Sequence, residues 1–398
     1  MRKTSPNTAD FPIWRIKLLY LVIYSSFGTF FIYRTLYYRR VGLDERQIGV
    51  LIALYPLVSL AAGPLWSAIA DRLGIRSRLL SLTALSSIFP LLGMIWLRGF
   101  WPFFFLTFLF AFFLGPVQPL MDSIALFLLG EQRHKYSTIR AFGSLGYAPI
   151  VWLTGYLIQG RDIRWIFVGY TFLMGIGVLL ASKIKVEQPP LPKGNFVKGL
   201  KALWKNQNWL LFMVAVFIAM TIQGILVGYT TLYLDTLGAP EGLIGFSGAF
   251  GSITQTLFMW TLLPRLLRRW GSETMVIMGL GLFAFRLCLI SLFPLPWVII
   301  LSQGLLGLTF GATFVAAVDY AARHSPPGLA ATSQAVVTGL IAGLGRSFGG
   351  MSGGILYESL GPQNAFATYG LVALFAAGIF AWLWRKQIPS PRNNPTKD

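Results

Sequence analysis

The chain consists almost entirely of long apolar segments separated by short polar loops, and this pattern limits what it can fold into. Only 12% of its 398 residues are charged and 55% are hydrophobic, whereas a soluble domain carries about a quarter charged residues. So few polar side chains cannot cover a surface exposed to water, and most of the surface must therefore face lipid. Because lipid offers the backbone no hydrogen bonds, each apolar segment is predicted to be a membrane-spanning helix.

The segments predict an all-α membrane protein with twelve transmembrane helices, at residues 18–36, 48–70, 79–97, 100–129, 138–158, 166–181, 209–234, 242–263, 275–293, 297–322, 330–356 and 365–383. The longest loop contains Pro189, Pro190 and Pro192 followed by a basic stretch, so it cannot span the membrane. We therefore expect an N-terminal six-helix lobe at residues 1–182, a cytoplasmic linker at 183–208 and a C-terminal six-helix lobe at 209–398.

The net charge of +19 lies in the loops between the apolar segments. Most lysines and arginines fall on the side of the termini, which predicts a multi-pass protein of the plasma (inner) membrane with both termini in the cytoplasm. The charge is thus explained without a nucleic-acid partner. The single cysteine, Cys288, lies inside an apolar segment, and no cofactor or metal site is predicted.

The two halves of the chain resemble each other weakly. Ile48-Gly49 opens the second span, as Ile244-Gly245 opens the eighth, and a short segment that contains arginine and ends in glycine follows each of these two spans, at residues 71–74 and 268–271. Repeated halves around a site at the middle of the membrane are typical of secondary transporters.

Six charged residues lie within the spans, where a charge costs at least ~2.5–3.5 kcal/mol, so each is a candidate functional group: Arg34, Asp122, Arg140, Arg286, Asp319 and Arg346. Asp122 and Arg140 lie at depths that an arginine side chain can bridge, as a structural ion pair or as part of a substrate and proton site. Asp319 can pair with Arg323 one turn away.

Arginines outnumber acids within the spans. Arg286 has no acid at its depth, which predicts an anionic ligand or a cross-lobe partner such as Asp122; hydrogen bonds to backbone carbonyls are the alternative. Arg346 lies among glycines and either lines a cavity or packs against neighbouring helices. Arg34 is close enough to the interface for its side chain to snorkel. The excess of positive charge favours anionic substrates.

The stretch SAIADRLGIRSRLL after the second span resembles the major facilitator superfamily signature G-x-x-x-D-R-x-G-R-R/K. Ser67 and Ile75 depart from this signature, and the matching residues are Asp71, Arg72, Gly74 and Arg76. The resemblance implies the major facilitator fold, in which this loop takes part in gating.

The stretch KYSTIRAFGSLGYA resembles the fifth helix of the lactose permease branch, and LPWVIILSQGLLGLTFG resembles its phenylpropionate permease-like members. The resemblance implies that Asp122, Arg140 and Tyr147 bind substrate, and Arg286 matches an arginine on the ninth helix of that branch. The histidine and glutamate that couple protons in the lactose permease are replaced here by Leu306 and Thr309.

An acid of the seventh helix is likewise replaced by Gln223, so neither lactose nor the proton machinery carries over. Asp122 and Asp319 are then the candidate proton carriers.

The predicted function is secondary active transport by alternating access, as proton-coupled symport of a small organic solute such as an aromatic acid. A sugar or nucleoside is the alternative substrate, and efflux of amphipathic compounds is a third possibility. An integral-membrane enzyme or a non-transporting sensor is the alternative of another class, but no nucleophile, acid–base pair or metal site is evident. The expected partners are the solute, protons and the bilayer, and the expected state is a monomer.

Overall fold

The computed structural model describes residues 13–184, 206–325 and 330–387, which form twelve long helices. Ten of these helices have bounds α1 Ile13–Arg40, α2 Glu45–Leu73, α3 Arg76–Trp96, α4 Phe100–Leu129, α5 Tyr136–Ile158, α6 Trp165–Ser182, α7 Gln207–Thr236, α8 Glu241–Thr261, α9 Leu263–Leu292 and α10 Pro296–Arg323. The last stretch divides into α11, residues 330–360, and α12, residues 362–387. The predicted all-α membrane fold is confirmed.

Two glycines divide helices that would otherwise run on without a break. Gly271 in α9 and Gly361 between α11 and α12 have φ of 78° and 79°, a region that side chains with a Cβ rarely adopt. The short segment before Gly271 explains why α9 begins earlier than its predicted span. Residues 31–33 also form a turn within α1.

Two π-helical segments interrupt the C-terminal half, Gly307–Gly311 in α10 and Val336–Ile341 in α11. Such irregular turns are frequent at functional sites, and the first of them faces the cavity described below.

Helices α1–α6 pack on one another as one lobe and α7–α12 as a second lobe. The lobes meet along two helix pairs, α5 with α8 and α2 with α11. Most of the predicted linker, residues 185–205, lies outside the described residues. We call the side with the loops around residues 41–44, 97–99, 159–164 and 237–240 the head face, and the opposite side the tail face.

Large apolar side chains cover the outside of the bundle. Phe89, Phe172 and Phe375 are about two-thirds exposed, which only a lipid environment tolerates on this scale. Ten stretches are long and apolar enough to cross a membrane, and the last of them holds both α11 and α12. The chain is therefore a multi-pass membrane protein.

The lobes are closed against each other at the head face. Arg39 of α1 forms an ion pair with Asp235 of α7 at 3.6 Å, and Arg40 pairs with Glu241 of α8. A third ion pair joins Arg46 of α2 to Glu358 of α11 at 3.2 Å. Since these pairs are partly exposed, each contributes little to stability, but together they fix the register of the two lobes.

Glycines let the lobes approach closely between these ion pairs. In α11, Gly350 and Gly354 lie against Gly49 of α2, with no room for a Cβ between the backbones. In α5 and α8, Gly155 and Gly245 make the equivalent close approach. We call these two contacts the glycine seams.

A tyrosine hydroxyl lies inside each seam. Tyr33 of α1 donates a hydrogen bond to the Val151 carbonyl at 2.6 Å, beside the α5–α8 seam. Tyr229 of α7 donates to the carbonyls of Gly350 at 3.1 Å and Glu45 at 3.2 Å, in the α2–α11 seam. The first and seventh helices thus each provide a tyrosine hydroxyl that donates to a backbone carbonyl at a glycine seam. This equivalence agrees with the weak sequence repeat of the two halves.

Candidate functional site

A cavity of about 340 Å³ lies between the lobes, beneath the closed head face. Helices from both lobes line it, and α1 and α5 provide Phe31, Ile32 and Tyr147. The C-terminal lobe provides its charged and polar groups, which are Gln223, Thr230, Thr231, Ser247, Ser252, Gln255, Arg286, Gln303 and Arg346. Its size is within the range of pockets for small organic molecules.

Arg286 is the most deeply buried cation of the cavity, with 1% of its surface exposed. Its Nη2 donates to the Gln303 side-chain oxygen at 2.5 Å and its Nε to the Ser302 hydroxyl at 3.4 Å. Its Nη1 is buried without a hydrogen-bond partner. A buried guanidinium with a free donor is costly, which indicates a partner that enters from the cavity.

Arg346 lines the same cavity from α11. Its guanidinium lies 5.0 Å from the ring centre of Phe310, a cation–π contact, and its Nε has no hydrogen-bond partner. No aspartate or glutamate belongs to the lining among the described residues. The cavity is therefore positively charged, with two guanidiniums from the C-terminal lobe in its lining.

Arg34 does not snorkel to the interface as predicted. Its side chain is buried, with its guanidinium 5.0 Å from the ring of Phe31 and 6.0 Å from that of Tyr55. The prediction was wrong because α1 continues to Arg40, which puts Arg34 well inside the helix. Arg34 is not part of the cavity lining, whereas Phe31 is.

Asp122 and Arg140 do not form the ion pair that their depths allow. Asp122 accepts a hydrogen bond from the Tyr20 hydroxyl at 2.5 Å, and Arg140 lies 4.4 Å from the ring centre of Tyr24. The rings of Tyr20 and Tyr24 stack with centres 6.1 Å apart. Asp122 and Arg140 thus each contact one of two stacked tyrosines of α1, a pair that sequence reasoning missed.

Asp319 takes part in an ordinary contact at the end of α10. It pairs with Arg323 at 2.9 Å and accepts a hydrogen bond from the Ser272 hydroxyl at 2.6 Å. Neither Asp122 nor Asp319 lines the cavity.

Sequence reasoning also missed Gln255 and Gln303, which line the cavity together with Arg286, and Gln303 accepts a hydrogen bond from it. The sequence could have indicated these residues, because both glutamines lie inside apolar spans and an uncharged amide at that depth also needs a hydrogen-bond partner. Gln223, singled out only as the replacement of an acid, lines the cavity too, and its side-chain oxygen is buried without a hydrogen-bond partner.

Residues 13–368 match the sequence model of the MFS_1 like family. The chain belongs to this family. It is therefore a transporter of the major facilitator superfamily rather than an enzyme, as the resemblance implied. It moves a small molecule through the membrane.

Individual transporters are similar over nearly the whole chain. The maltose permease of Geobacillus stearothermophilus is 27% identical over 346 residues, which cover 86% of each protein. The probable 3-phenylpropionic acid transporter of Escherichia coli (strain K12) is 25% identical over 389 residues, 94% of this chain and 98% of the relative. The crystal structure of the nucleoside transporter NupG has a TM-score of 0.84 at 16% identity, covering 94% of this chain and 99% of that one, and shows the shared fold.

In this transporter α2 ends within the loop that carries the superfamily signature. Gly74 has φ of 67° and ends the helix in a left-handed cap, which explains a glycine at this position. Arg72 is exposed and Arg76 is buried at the start of α3. The side chain of Asp71 lies outside what the structure describes.

Proposed function

We propose that this transporter carries a small organic anion, an aromatic carboxylate in particular, and that Arg286 and Arg346 bind its carboxylate. One observation supports this most strongly: two guanidiniums border the cavity, each with a buried nitrogen that has no hydrogen-bond partner, and no described lining residue is acidic. Arginine is suited to this task because its planar fork matches a carboxylate.

The energetics of burial favour an anion over a neutral solute. A buried cation without a counter-charge keeps its desolvation penalty when a neutral solute binds, whereas a carboxylate offsets that penalty. An aromatic body would contact Phe31, Tyr147 and Phe310, which line the same cavity. The similarity to a probable 3-phenylpropionic acid transporter agrees with such a substrate.

A sugar or nucleoside is the second candidate. The amides of Gln223, Gln255 and Gln303 offer both donors and acceptors to hydroxyl groups, and the relatives include a maltose permease. This alternative leaves both guanidiniums without a counter-charge, so we favour the carboxylate.

We further propose proton-coupled symport, with Asp122 as the proton carrier. Asp319 is the weaker candidate because it forms an ion pair with Arg323, whereas Asp122 accepts a hydrogen bond from the neutral Tyr20 hydroxyl and has no ion pair among the described residues. Arg140 belongs to the same lobe and lies 4.4 Å from the ring centre of Tyr24, which stacks on Tyr20. One proton carried with a monovalent carboxylate makes the cycle electrically neutral.

Alternating access would follow from rocking of the lobes at residues 1–182 and 209–398 about the cavity. In this conformation the glycine seams close the head face, and we expect the cavity to open toward the tail face. We expect both termini in the cytoplasm of an inner membrane and a monomer as the working unit.

The test is uptake into proteoliposomes of the purified full chain. The panel contains 3-phenylpropionate, its neutral amide, maltose and uridine, each with and without an inward proton gradient. We expect uptake of the carboxylate and not of its amide, and a loss of at least tenfold in Arg286→Gln. Arg269→Gln, which removes an exposed arginine, is the matched control. Uptake of the amide or a sugar that survives Arg286→Gln would contradict the proposal.

Coupling is tested separately with Asp122→Asn. The variant should lose uptake driven by the proton gradient while it still exchanges labelled for unlabelled carboxylate across the membrane. An unchanged response to the proton gradient would exclude Asp122 as the carrier without affecting the carboxylate site.

A further inference from the structure

A second cavity, of about 460 Å³, lies at the head face of the N-terminal lobe, away from the transport cavity. It is formed where the end of α1 meets the loops between α3 and α4 and between α5 and α6. Four arginines line it, and we call it the arginine basin: Arg40, Arg98, Arg161 and Arg164.

The basin keeps an excess of positive charge after its ion pairs are counted. Arg40 pairs with Glu241, and Arg164 lies 3.8 Å from Asp162. Arg98 donates to the Tyr37 hydroxyl at 3.2 Å, and neither Arg98 nor Arg161 has a carboxylate partner in the described parts of the chain. Two guanidiniums are thus free to bind an anion.

These arginines are unusual for their side of the membrane. The loops of the head face contain no lysine, and their arginines are Arg39, Arg40, Arg46, Arg98, Arg161 and Arg164. Arg39 and Arg46 form ion pairs across the lobes, and all the others line the basin. Since the bias of basic residues leaves few on this face, their collection in one cavity indicates a binding function.

Exposed tryptophans fix the depth of the basin in the bilayer. Trp96 and Trp101 flank Arg98 and are each 74% exposed, and Trp165 follows Arg164 with 57% exposed. Exposed tryptophan is typical of the interface between lipid tails and water. The basin therefore opens at the level of the lipid headgroups.

We propose that the arginine basin binds the phosphate of an anionic phospholipid, such as phosphatidylglycerol, from the leaflet at the head face. Arg98 and Arg161 hold the phosphate, because a guanidinium binds phosphate oxygens through two parallel hydrogen bonds. The tryptophans contact the glycerol and the upper part of the acyl chains. A soluble phosphate would lack these contacts.

The experiment is native mass spectrometry of the purified full chain, titrated with phosphatidylglycerol, phosphatidylcholine or inorganic phosphate. We expect phosphatidylglycerol to bind at least tenfold more tightly than phosphatidylcholine. The double variant Arg98→Gln, Arg161→Gln should lose this preference, since each arginine at a membrane surface changes affinity for anionic lipid roughly fivefold. The control Arg268→Gln, Arg269→Gln removes the same charge from exposed positions at the tail face.

The proposal is overturned if both double variants lose the preference equally, because the effect would then be one of total charge. It is also overturned if inorganic phosphate at millimolar concentration displaces the lipid, which would make the basin a site for soluble anions. If the double variant fails to fold, Arg161→Gln alone replaces it, since Arg161 is exposed and has no described ion pair.

Discussion

Adding one methyl group at Gly354 should open the head face of this transporter. An alanine Cβ there would lie 2.5 Å from the Glu45 carbonyl oxygen, 2.6 Å from the Tyr229 hydroxyl and 3.2 Å from the Cα of Gly49. Glu45 and Gly49 belong to the other lobe, so most of the clash exists only while the head face is closed. Gly354→Ala therefore destabilises one conformation more than the other.

The size of the effect follows from the geometry. Real Cβ contacts are essentially never below 3.0 Å, so α2 would have to move by about 0.5 Å at the least. Overpacking of this kind costs about 1–3 kcal/mol, which shifts a two-state equilibrium roughly 5-fold to 150-fold. Tyr229→Phe removes the contact within the same lobe but also shifts the equilibrium by itself, so the cross-lobe part is the difference between the double variant Gly354→Ala, Tyr229→Phe and Tyr229→Phe alone.

The assay is a distance measurement by double electron–electron resonance at the head face. Spin labels go on Trp165→Cys and Leu292→Cys, two exposed positions in different lobes, in a chain with Cys288→Ser. Molecules that are open at the head face give the longer distance, and the fraction of molecules with this distance should be larger in Gly354→Ala. The control is Gly378→Ala, where a Cβ would meet nothing within 4 Å.

Identical distance distributions in Gly354→Ala and Gly378→Ala, with both proteins folded, would refute the reasoning. The glycine seams would then be a consequence of closure and not the contacts that determine it.

Further predictions concern the same contacts and the cavity. Tyr229→Phe removes the hydroxyl that binds the Glu45 carbonyl and should weaken closure by about 1 kcal/mol, seen as a roughly fivefold shift in the same distance measurement. Arg40→Gln breaks the exposed pair with Glu241 and should change the free energy of closure at the head face by less than about 1 kcal/mol. This effect should disappear at high salt. Arg346→Lys keeps the charge but loses the planar fork over Phe310, so KM for a carboxylate should rise in uptake assays while the preference for anions remains.

The sequence alone determined the fold of this protein because lipid leaves the backbone one solution for each long apolar segment. It also marked Arg286 and Arg346, since a charge inside a span is rare and costly. Both arguments use local sequence and the depth of a residue along one helix. The exact helix bounds and the breaks at Gly271 and Gly361 depend on the local backbone conformation at those residues.

The tertiary structure alone decided which side chains meet. Depth allowed Asp122 to pair with Arg140, yet its hydrogen bond comes from Tyr20, and Arg34 is buried beside two aromatic rings instead of reaching the interface. Such partners depend on the rotation of each helix about its axis, and Tyr20 and Asp122 are 102 positions apart in the sequence. The closure of the head face is decided in the same way, because it depends on how closely two backbones from different lobes can approach.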